Sequence, residues 1–139
     1  MSLTIENLSY RYGPGGQGVQ DINLQAQQGE LLAVIGPSGS GKSTLLRIVA
    51  GLIAQDAGRV VLAGRDLTGV PPHQRDIGVV FQSYALFPHL SVRDNVAYGL
   101  KMRKVAPAER LETATRMLQT VGLADFADQE AQACALEAS

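Results

Sequence analysis

The chain has 139 residues, a length typical of one domain, with 45% hydrophobic and 18% charged residues and a formal net charge of −1. This composition excludes an intrinsically disordered chain, and the lack of a long like-charge run argues against a nucleic-acid-binding surface. The single cysteine, Cys134, excludes an internal disulfide and fits a reducing compartment. The first residues lack the segments of a secretory signal, and no apolar run reaches the ~18 residues of a membrane span. These features predict a cytosolic protein without a membrane span of its own.

In chain order, the periodicity of the sequence predicts mostly strands at first and helices afterwards. Strands are expected at 3–12, 20–27, 30–35, 59–64 and 76–82. Helices are expected at 42–53, 91–103 and 107–121. Ser91 is the predicted N-cap of the second helix, with Asp94 at the third position, and Gly122 is expected to end the third helix. Residues 129–139 are rich in alanine and contain no motif.

Apolar residues at helical spacing predict which helix faces are buried. In the first helix these residues are Leu45, Ile48, Val49 and Leu52. In the third helix they are Leu111, Ala114, Leu118 and Val121.

The stretch GPSGSGKST, residues 36–44, lies between a predicted strand and a predicted helix, and its Gly-x4-Gly-Lys-Ser pattern is that of a phosphate-binding loop. Glycines let backbone N–H groups turn toward an anion, and the following helix directs its positive end to the same point. A glycine–serine turn that only caps a helix is the simpler alternative, but the full pattern in its strand–helix context argues against it. The predicted nucleotide-binding residues are Gly36, Pro37, Ser38, Gly39, Ser40, Gly41, Lys42, Ser43 and Thr44.

Three side chains of this loop have distinct predicted roles. Lys42 is expected to reach the β- and γ-phosphates, and the Ser43 hydroxyl to ligate Mg²⁺. The Thr44 hydroxyl is expected to contact the α-phosphate. A GTPase is one alternative, since DLTG at 66–69 matches a motif of that class. The chain has no N-K-x-D motif to recognise guanine, however, and DLTG follows a strand as an ordinary Asp/Gly turn would.

The longer pattern resembles the nucleotide-binding subunit of ABC transporters, in particular the import type that serves polyamines, iron, phosphonates or sugars. The resemblance covers residues 3 to about 128 and rests on SYRYG, on GPSGSGKST, and on VVFQS within PPHQRDIGVVFQSYALFPHLSVRDNVAYGL. It implies ATP and Mg²⁺ as cofactors. It also implies that Tyr12 stacks on adenine with Val19 beside it, and that Gln82 contacts Mg²⁺ and the attacking water. A tyrosine and a glutamine that merely end strands are the alternatives.

The resemblance also implies the fold and the partners. The expected fold is α/β: a RecA-like P-loop NTPase core with an antiparallel β subdomain, and the start of a helical subdomain. Together these make an incomplete ABC ATPase domain, with the core and β subdomain at 1–82, the helical part at 83–128 and a divergent tail at 129–139. The implied partners are a transmembrane permease subunit and a second ATP-binding subunit, which would place the chain on the inner face of the cell membrane through the permease.

The segment at 83–90 contains Tyr84, Leu86, Phe87 and Leu90 in a predicted loop. In the family this region forms part of the groove that receives a coupling helix of the permease. Packing of these side chains beneath the following helix is the alternative, and the sequence does not decide between the two.

Three motifs that the family uses for hydrolysis are absent from this chain: the LSGGQ signature, the Asp-Glu pair of Walker B and the switch histidine. The GGQ at 15–17 precedes the phosphate loop and is interpreted as a turn, while His73 and His89 lie in the wrong region. The similarity ends near Gln129, which predicts a C-terminally truncated subunit that binds Mg-ATP at most. An unpaired strand edge at 30–36 predicts poor solubility. The alternatives are a non-hydrolytic remnant that binds ATP or a permease, and a P-loop ATPase completed by another chain.

Overall fold

A computed structural model of the chain describes residues 2–83, 85–131 and 133, and these fall into two compact units, Met1–Val80 and Phe81–Ser139. The first unit holds a β-sheet and one helix, and the second unit is helical. Within the described ranges, every helix is too short or too polar to span a bilayer. The subdomain boundaries expected from the sequence stay predictions.

The sheet is antiparallel and has the strand order β2-β1-β3-β4. Its strands are β1 (Leu3–Arg11), β2 (Gly18–Ala26), β3 (Ala57–Leu62) and β4 (Arg65–Asp66). The antiparallel β region and the first, second and fourth of the predicted strands are thereby confirmed. The GGQ sequence lies in the turn between β1 and β2, as expected.

A bulge in β1 keeps its apolar side chains on one face of the sheet. Ile5 and Leu8 are both buried, although residues three apart in a regular strand point to opposite faces. The register shifts between them, where Asn7 has a φ of +48° and its N–H bonds the Asn23 side chain at 2.9 Å. Gly58 of β3 lies against this bulge, since a Cβ there would be 2.4 Å from the Asn7 carbonyl oxygen. The bulge therefore requires a residue without a side chain opposite it.

Helix α1 (Lys42–Val49) packs against this sheet and completes the core of the first unit. The buried core residues are Ile5, Leu8, Val19, Leu45, Ile48, Val60 and Leu67. Leu45 and Ile48 confirm the predicted face of α1, whereas Leu52 is 46% exposed. The prediction for Leu52 is wrong because the helix ends at Val49, and Gly51 turns the chain with a φ of +79°.

The strands predicted at 30–35 and 76–82 are wrong, since neither segment forms a strand in the described chain. A strand is defined by its hydrogen bonds to a neighbouring strand. Neither segment pairs with a strand of the described sheet. Their apolar side chains are correspondingly open to solvent: Leu31 is 96% exposed, Ile35 is 89% exposed and Val80 is 100% exposed.

The second unit is built on α2 (Val92–Met102) and α3 (Pro107–Thr120), which pack together. Their buried residues are Ala97, Ala114 and Leu118. The predicted cap of α2 is confirmed, because the Asp94 N–H donates to the Ser91 hydroxyl at 3.0 Å. Gly122 follows α3 with a φ of +73°, as predicted. Val121 is 66% exposed, against expectation, because it lies at the C-cap, where the helical repeat stops.

Two short 3-10 turns lie outside these helices, at Pro72–Gln74 in the first unit and at Ala124–Phe126 in the second. The chain after the second turn folds back on the start of α2. Glu130 pairs with Ser91, and the Arg93 guanidinium lies 2.7 Å from the Asp128 carboxylate. Ala131 is buried at this point.

Candidate functional site

The phosphate loop at 36–41 runs directly into α1, and glycine determines its shape. Gly39 and Gly41 have φ values of +82° and +93°, in the region that side chains disfavour. A Cβ on Gly41 would lie 2.7 Å from the Val19 side chain, and one on Gly36 would lie 2.7 Å from the Ser40 hydroxyl. A side chain at Gly39 or Gly41 would therefore strain the loop, whereas one at Gly36 would require only that the Ser40 hydroxyl rotate away.

The N-terminal end of α1 has no side-chain cap. Gly41 occupies the N-cap position and contributes no side-chain hydrogen bond, and the first intrahelical bond runs from the Leu45 N–H to the Gly41 carbonyl at 2.9 Å. The N–H groups of Lys42, Ser43 and Thr44 precede that bond and have no partner within the helix. Unpaired N–H groups at the positive end of a helix suit an anionic ligand.

Lys42 folds back over the loop from the first turn of α1. Its ammonium group donates to the carbonyls of Gly36 and Pro37, each at 2.7 Å, and to the Ser40 hydroxyl at 3.3 Å. These bonds hold the cation within the curve of the loop. The arrangement places one positive charge and a set of N–H donors around the same short segment, as phosphate binding requires.

Tyr12 lies beside the same helix, just beyond the end of β1. Its hydroxyl is 3.1 Å from the Thr44 hydroxyl, and its ring meets the Tyr10 ring edge-on at a centroid distance of 4.9 Å. Tyr12 is 47% exposed, so about half of the residue is open to solvent. The structure therefore brings Tyr12 together with the phosphate loop, although the two are 32 residues apart in sequence.

Val19 is a buried residue, and its contact with an adenine ring stays a prediction from the resemblance. It is buried in the core of the first unit, 7% exposed, and its side chain lies where Gly41 would carry a Cβ. Val19 thus packs β2 against the base of the phosphate loop.

The remaining predicted site residue, Gln82, belongs to the second unit, where it is exposed. Its contact with Mg²⁺ and water stays a prediction from the resemblance. In the same unit, Leu86 and Phe87 are 49% and 39% exposed, and Leu90 is half-buried. Tyr84, the first aromatic residue of this segment, lies outside the described residues.

The DLTG sequence forms a local turn in the structure. The Asp66 carboxylate accepts a hydrogen bond from the Thr68 N–H at 2.8 Å, and this bond lowers the pKa of Asp66 below its ordinary value. Gly69 follows with a φ of +71°. The carboxylate is engaged by its own turn, which confirms the interpretation of this motif as an ordinary Asp/Gly turn.

Two structurally important residues were not found from the sequence. Arg75 is buried and donates to the carbonyls of Ile48 and Val49 at the end of α1, both at 3.0 Å. Asn95 of α2 hydrogen-bonds both the N–H and the carbonyl of Phe87. A lone arginine between a proline turn and an apolar run, and a lone asparagine in a helix, give no pattern from which these contacts could be predicted.

The fold defines the class of protein: it is that of the ABC ATPases, seen here in part. The ATP-binding cassette MJ0796, solved as a dimer in a post-hydrolysis state with ADP and Pi, matches with a TM-score of 0.82 and 28% identity. That match covers 93% of this chain and 61% of the MJ0796 chain. A nucleotide-free ATP-binding cassette from an ABC transporter matches with a TM-score of 0.77 and 25% identity, over 95% of this chain and 58% of that one.

The sequence comparison agrees with the fold. Residues 19–137 match the model of the ABC transporter family, and the chain belongs to this family. As a family, these proteins bind ATP and hydrolyse it.

Several relatives are named as import ATP-binding proteins. The sulfate/thiosulfate import protein CysA of Nocardia farcinica is 52% identical over 89% of this chain. The spermidine/putrescine import protein PotA of Methylococcus capsulatus is 54% identical over 76% of it. The chain spans 37% of that CysA and 28% of that PotA, so it corresponds to about a third of these relatives.

Proposed function

We propose that this chain binds Mg-ATP as part of the ATP-binding subunit of an ABC importer. The supporting observation is the geometry of the phosphate loop. The uncapped first turn of α1 and the Lys42 ammonium group both lie at this loop. Relatives named as import ATP-binding proteins support the importer class. They differ in the solute that they are named for, so the proposal includes no solute.

Each residue of the site has a role in this proposal. Lys42 exchanges its bonds to the loop carbonyls for bonds to the terminal phosphates, which charge-assisted hydrogen bonds favour. The N–H groups at the start of α1 hold the phosphate oxygens. Ser43 ligates Mg²⁺, whose charge offsets that of the phosphates. The half-exposed Tyr12 would support the adenine ring. By the resemblance to the family, Gln82 would act on the Mg²⁺ and water side.

Coupling to transport is proposed to run through partners. Leu86 and Phe87 are exposed apolar residues of the second unit, and they suit contact with a coupling helix of a transmembrane permease. Such contact would hold the subunit on the cytoplasmic face of the membrane. The dimeric state of MJ0796 supports a second ATP-binding subunit as the other partner.

We further propose that the 139-residue chain by itself does not hydrolyse ATP. The sequence contains no Asp-Glu pair and no LSGGQ signature. Phosphoryl transfer depends on positioned groups that stabilise charge and orient water. The described loop supplies the binding half of such a site, and a Walker B carboxylate and an opposite-subunit signature would have to come from elsewhere.

The test combines binding and turnover on the full chain. Lys42→Ala is expected to weaken Mg-ATP binding by about 10- to 100-fold, because it removes a charge-assisted contact to the phosphates. Calorimetric titration measures the affinity, and a phosphate-release assay on the same samples is expected to show no turnover.

Arg47→Ala is the matched control, since it removes the same charge from an exposed position of the same helix. It is expected to leave the affinity within about twofold, because surface charges away from the ligand contribute little. Binding that survives Lys42→Ala would contradict the assignment of the phosphate site. Phosphate release that is lost in Lys42→Ala would refute the proposal that the chain alone is inactive.

A further inference from the structure

A long-range hydrogen bond connects the β1–β2 hairpin to the helix of the phosphate loop. The Tyr12 hydroxyl lies 3.1 Å from the Thr44 hydroxyl. Thr44 is in the first turn of α1 and only 7% exposed, so its hydroxyl has little access to water. Tyr12 is therefore a protein partner of the Thr44 hydroxyl, and by distance alone either hydroxyl can be the donor.

The position of Tyr12 is itself well determined. Its backbone N–H donates to the Gln17 carbonyl at 3.1 Å across the hairpin turn. Gly16 packs so closely against the Tyr12 carbonyl that an added Cβ would lie 1.7 Å from the oxygen. The Tyr10 ring abuts the Tyr12 ring edge-on. The backbone of Tyr12 is thus held by the turn, and its ring packs against an aromatic neighbour.

The hydrogen-bonding capacity of two hydroxyls fixes the direction of this pair once an anion is bound. A hydroxyl has one proton to donate and two lone pairs that accept. A phosphate oxygen only accepts, so Thr44 must donate its proton to the phosphate. The remaining bond must then run from the Tyr12 O–H to the Thr44 oxygen. A hydroxyl that accepts one hydrogen bond donates the next more strongly.

We propose that Tyr12 is a positioning residue whose phenolic hydroxyl orients the Thr44 hydroxyl as a donor to a bound phosphate, separately from any contact of its ring with a base. This inference rests on the proposed nucleotide site and adds a second role for the same side chain. Tyrosine is then required for phosphate affinity, and phenylalanine supplies only the ring.

A double-mutant cycle on the full chain tests the inference. Tyr12→Phe, Thr44→Val and the double variant are titrated with Mg-ATP and with inorganic tripolyphosphate, which has no base. Tyr12→Phe is expected to weaken both ligands by about three- to tenfold, the equivalent of one hydrogen bond. In the Thr44→Val background the same change is expected to have no further effect, because the hydroxyl through which Tyr12 acts is gone.

Tyr10→Phe is the matched control. It removes a phenolic hydroxyl two residues away and keeps the ring that contacts Tyr12, and it is expected to leave both affinities unchanged. Thermal unfolding of every variant verifies that the compared samples are folded.

The outcomes separate this inference from the proposed function. Unchanged Mg-ATP affinity in Tyr12→Phe, or an equal loss with and without the Thr44 hydroxyl, overturns the role of the hydroxyl while leaving the nucleotide site standing. A loss for Mg-ATP with none for tripolyphosphate assigns Tyr12 to the base alone and also overturns it. A folded wild-type chain that binds neither ligand refutes the nucleotide site itself.

Discussion

At the scale of single residues, Arg75 is a buried cation that holds the end of the phosphate-loop helix. Its guanidinium donates to the carbonyls of Ile48, Val49 and Val70, and its burial lowers its pKa from the ordinary value. Carbonyls at a helix C-terminus have no intrahelical partners and carry partial negative charge, so they are suitable partners for a guanidinium. Gly51 provides the room, because a Cβ there would lie 2.4 Å from the Arg75 Nε atom.

Gly51→Ala is therefore expected to lower the stability by more than the cost of placing alanine at a positive φ. The new methyl group meets a guanidinium that three hydrogen bonds hold in place, which adds about 1–3 kcal/mol of packing strain. Gly64→Ala is the matched control, since Gly64 has the same φ of +79° and nothing within 4 Å of an added Cβ. Urea unfolding of both variants measures the difference in the free energy of unfolding. Equal losses of stability in the two variants would show that the Arg75 side chain moves aside at no energetic cost.

At the scale of elements, Asn95 organises the loop that precedes α2. Its side-chain oxygen accepts from the Phe87 N–H at 2.8 Å, and its amide nitrogen donates to the carbonyls of Phe87 and Ser91, both at 3.0 Å. The Phe87 ring also packs on the Tyr98 ring of the same helix at 4.4 Å. One helical side chain thus gives a loop with exposed apolar residues a defined backbone.

Asn95→Ala is expected to release this loop without unfolding the helix. Amide exchange at Phe87 should become about fivefold faster or more, since a hydrogen bond of this kind contributes roughly 1 kcal/mol or more. Hydrogen–deuterium exchange monitors the loop directly.

Two further variants test whether the faster exchange results from loss of the Asn95 side chain. Val96→Ala, at a neighbouring exposed position of α2, is expected to leave the exchange unchanged. Asn95→Asp keeps the acceptor for the Phe87 N–H and is expected to preserve its protection in part. Equal exchange in wild type and Asn95→Ala would show that the helix and the ring contact suffice to hold the loop.

At the scale of the whole molecule, the exposed apolar side chains of the first unit dominate the expected behaviour in solution. Leu31, Ile35 and Val80 are each at least 89% exposed, in segments that form no strand in the described chain. Apolar segments without strand partners favour intermolecular pairing. The isolated chain is therefore expected to aggregate readily.

Leu31→Lys is expected to raise the soluble fraction on expression without lowering the thermal midpoint. The substitution removes an exposed apolar group and adds a charge that opposes pairing. Leu45→Lys is the opposite control, because Leu45 is buried in the core and a charge there is expected to prevent folding. The prediction would be contradicted if Leu31→Lys left the solubility unchanged. It would also be contradicted if the wild-type chain were monomeric and unfolded in a cooperative transition.

The sequence by itself determined the features that depend on neighbours along the chain. The strands β1 and β2, the Ser91 cap of α2 and the glycine after α3 depend on patterns within a few residues, and the structure confirms each of them. The phosphate loop belongs to the same group, since the glycine spacing and the following helix are both local. Its pattern, together with the other motifs, was sufficient to predict the ABC transporter family.

Only the tertiary structure decided the features that depend on residues far apart in sequence. The carbonyl of Ile48 near the end of α1 accepts a hydrogen bond from a guanidinium 27 residues further along the chain, and the Thr44 hydroxyl lies 3.1 Å from a phenol 32 residues before it. The segments at 30–35 and 76–82 have the composition of strands but form none, because a strand needs a hydrogen-bonded neighbour as well as apolar side chains. The composition of a segment indicates its preference for strand structure. Hydrogen bonds to residues distant in sequence decide whether the strand forms.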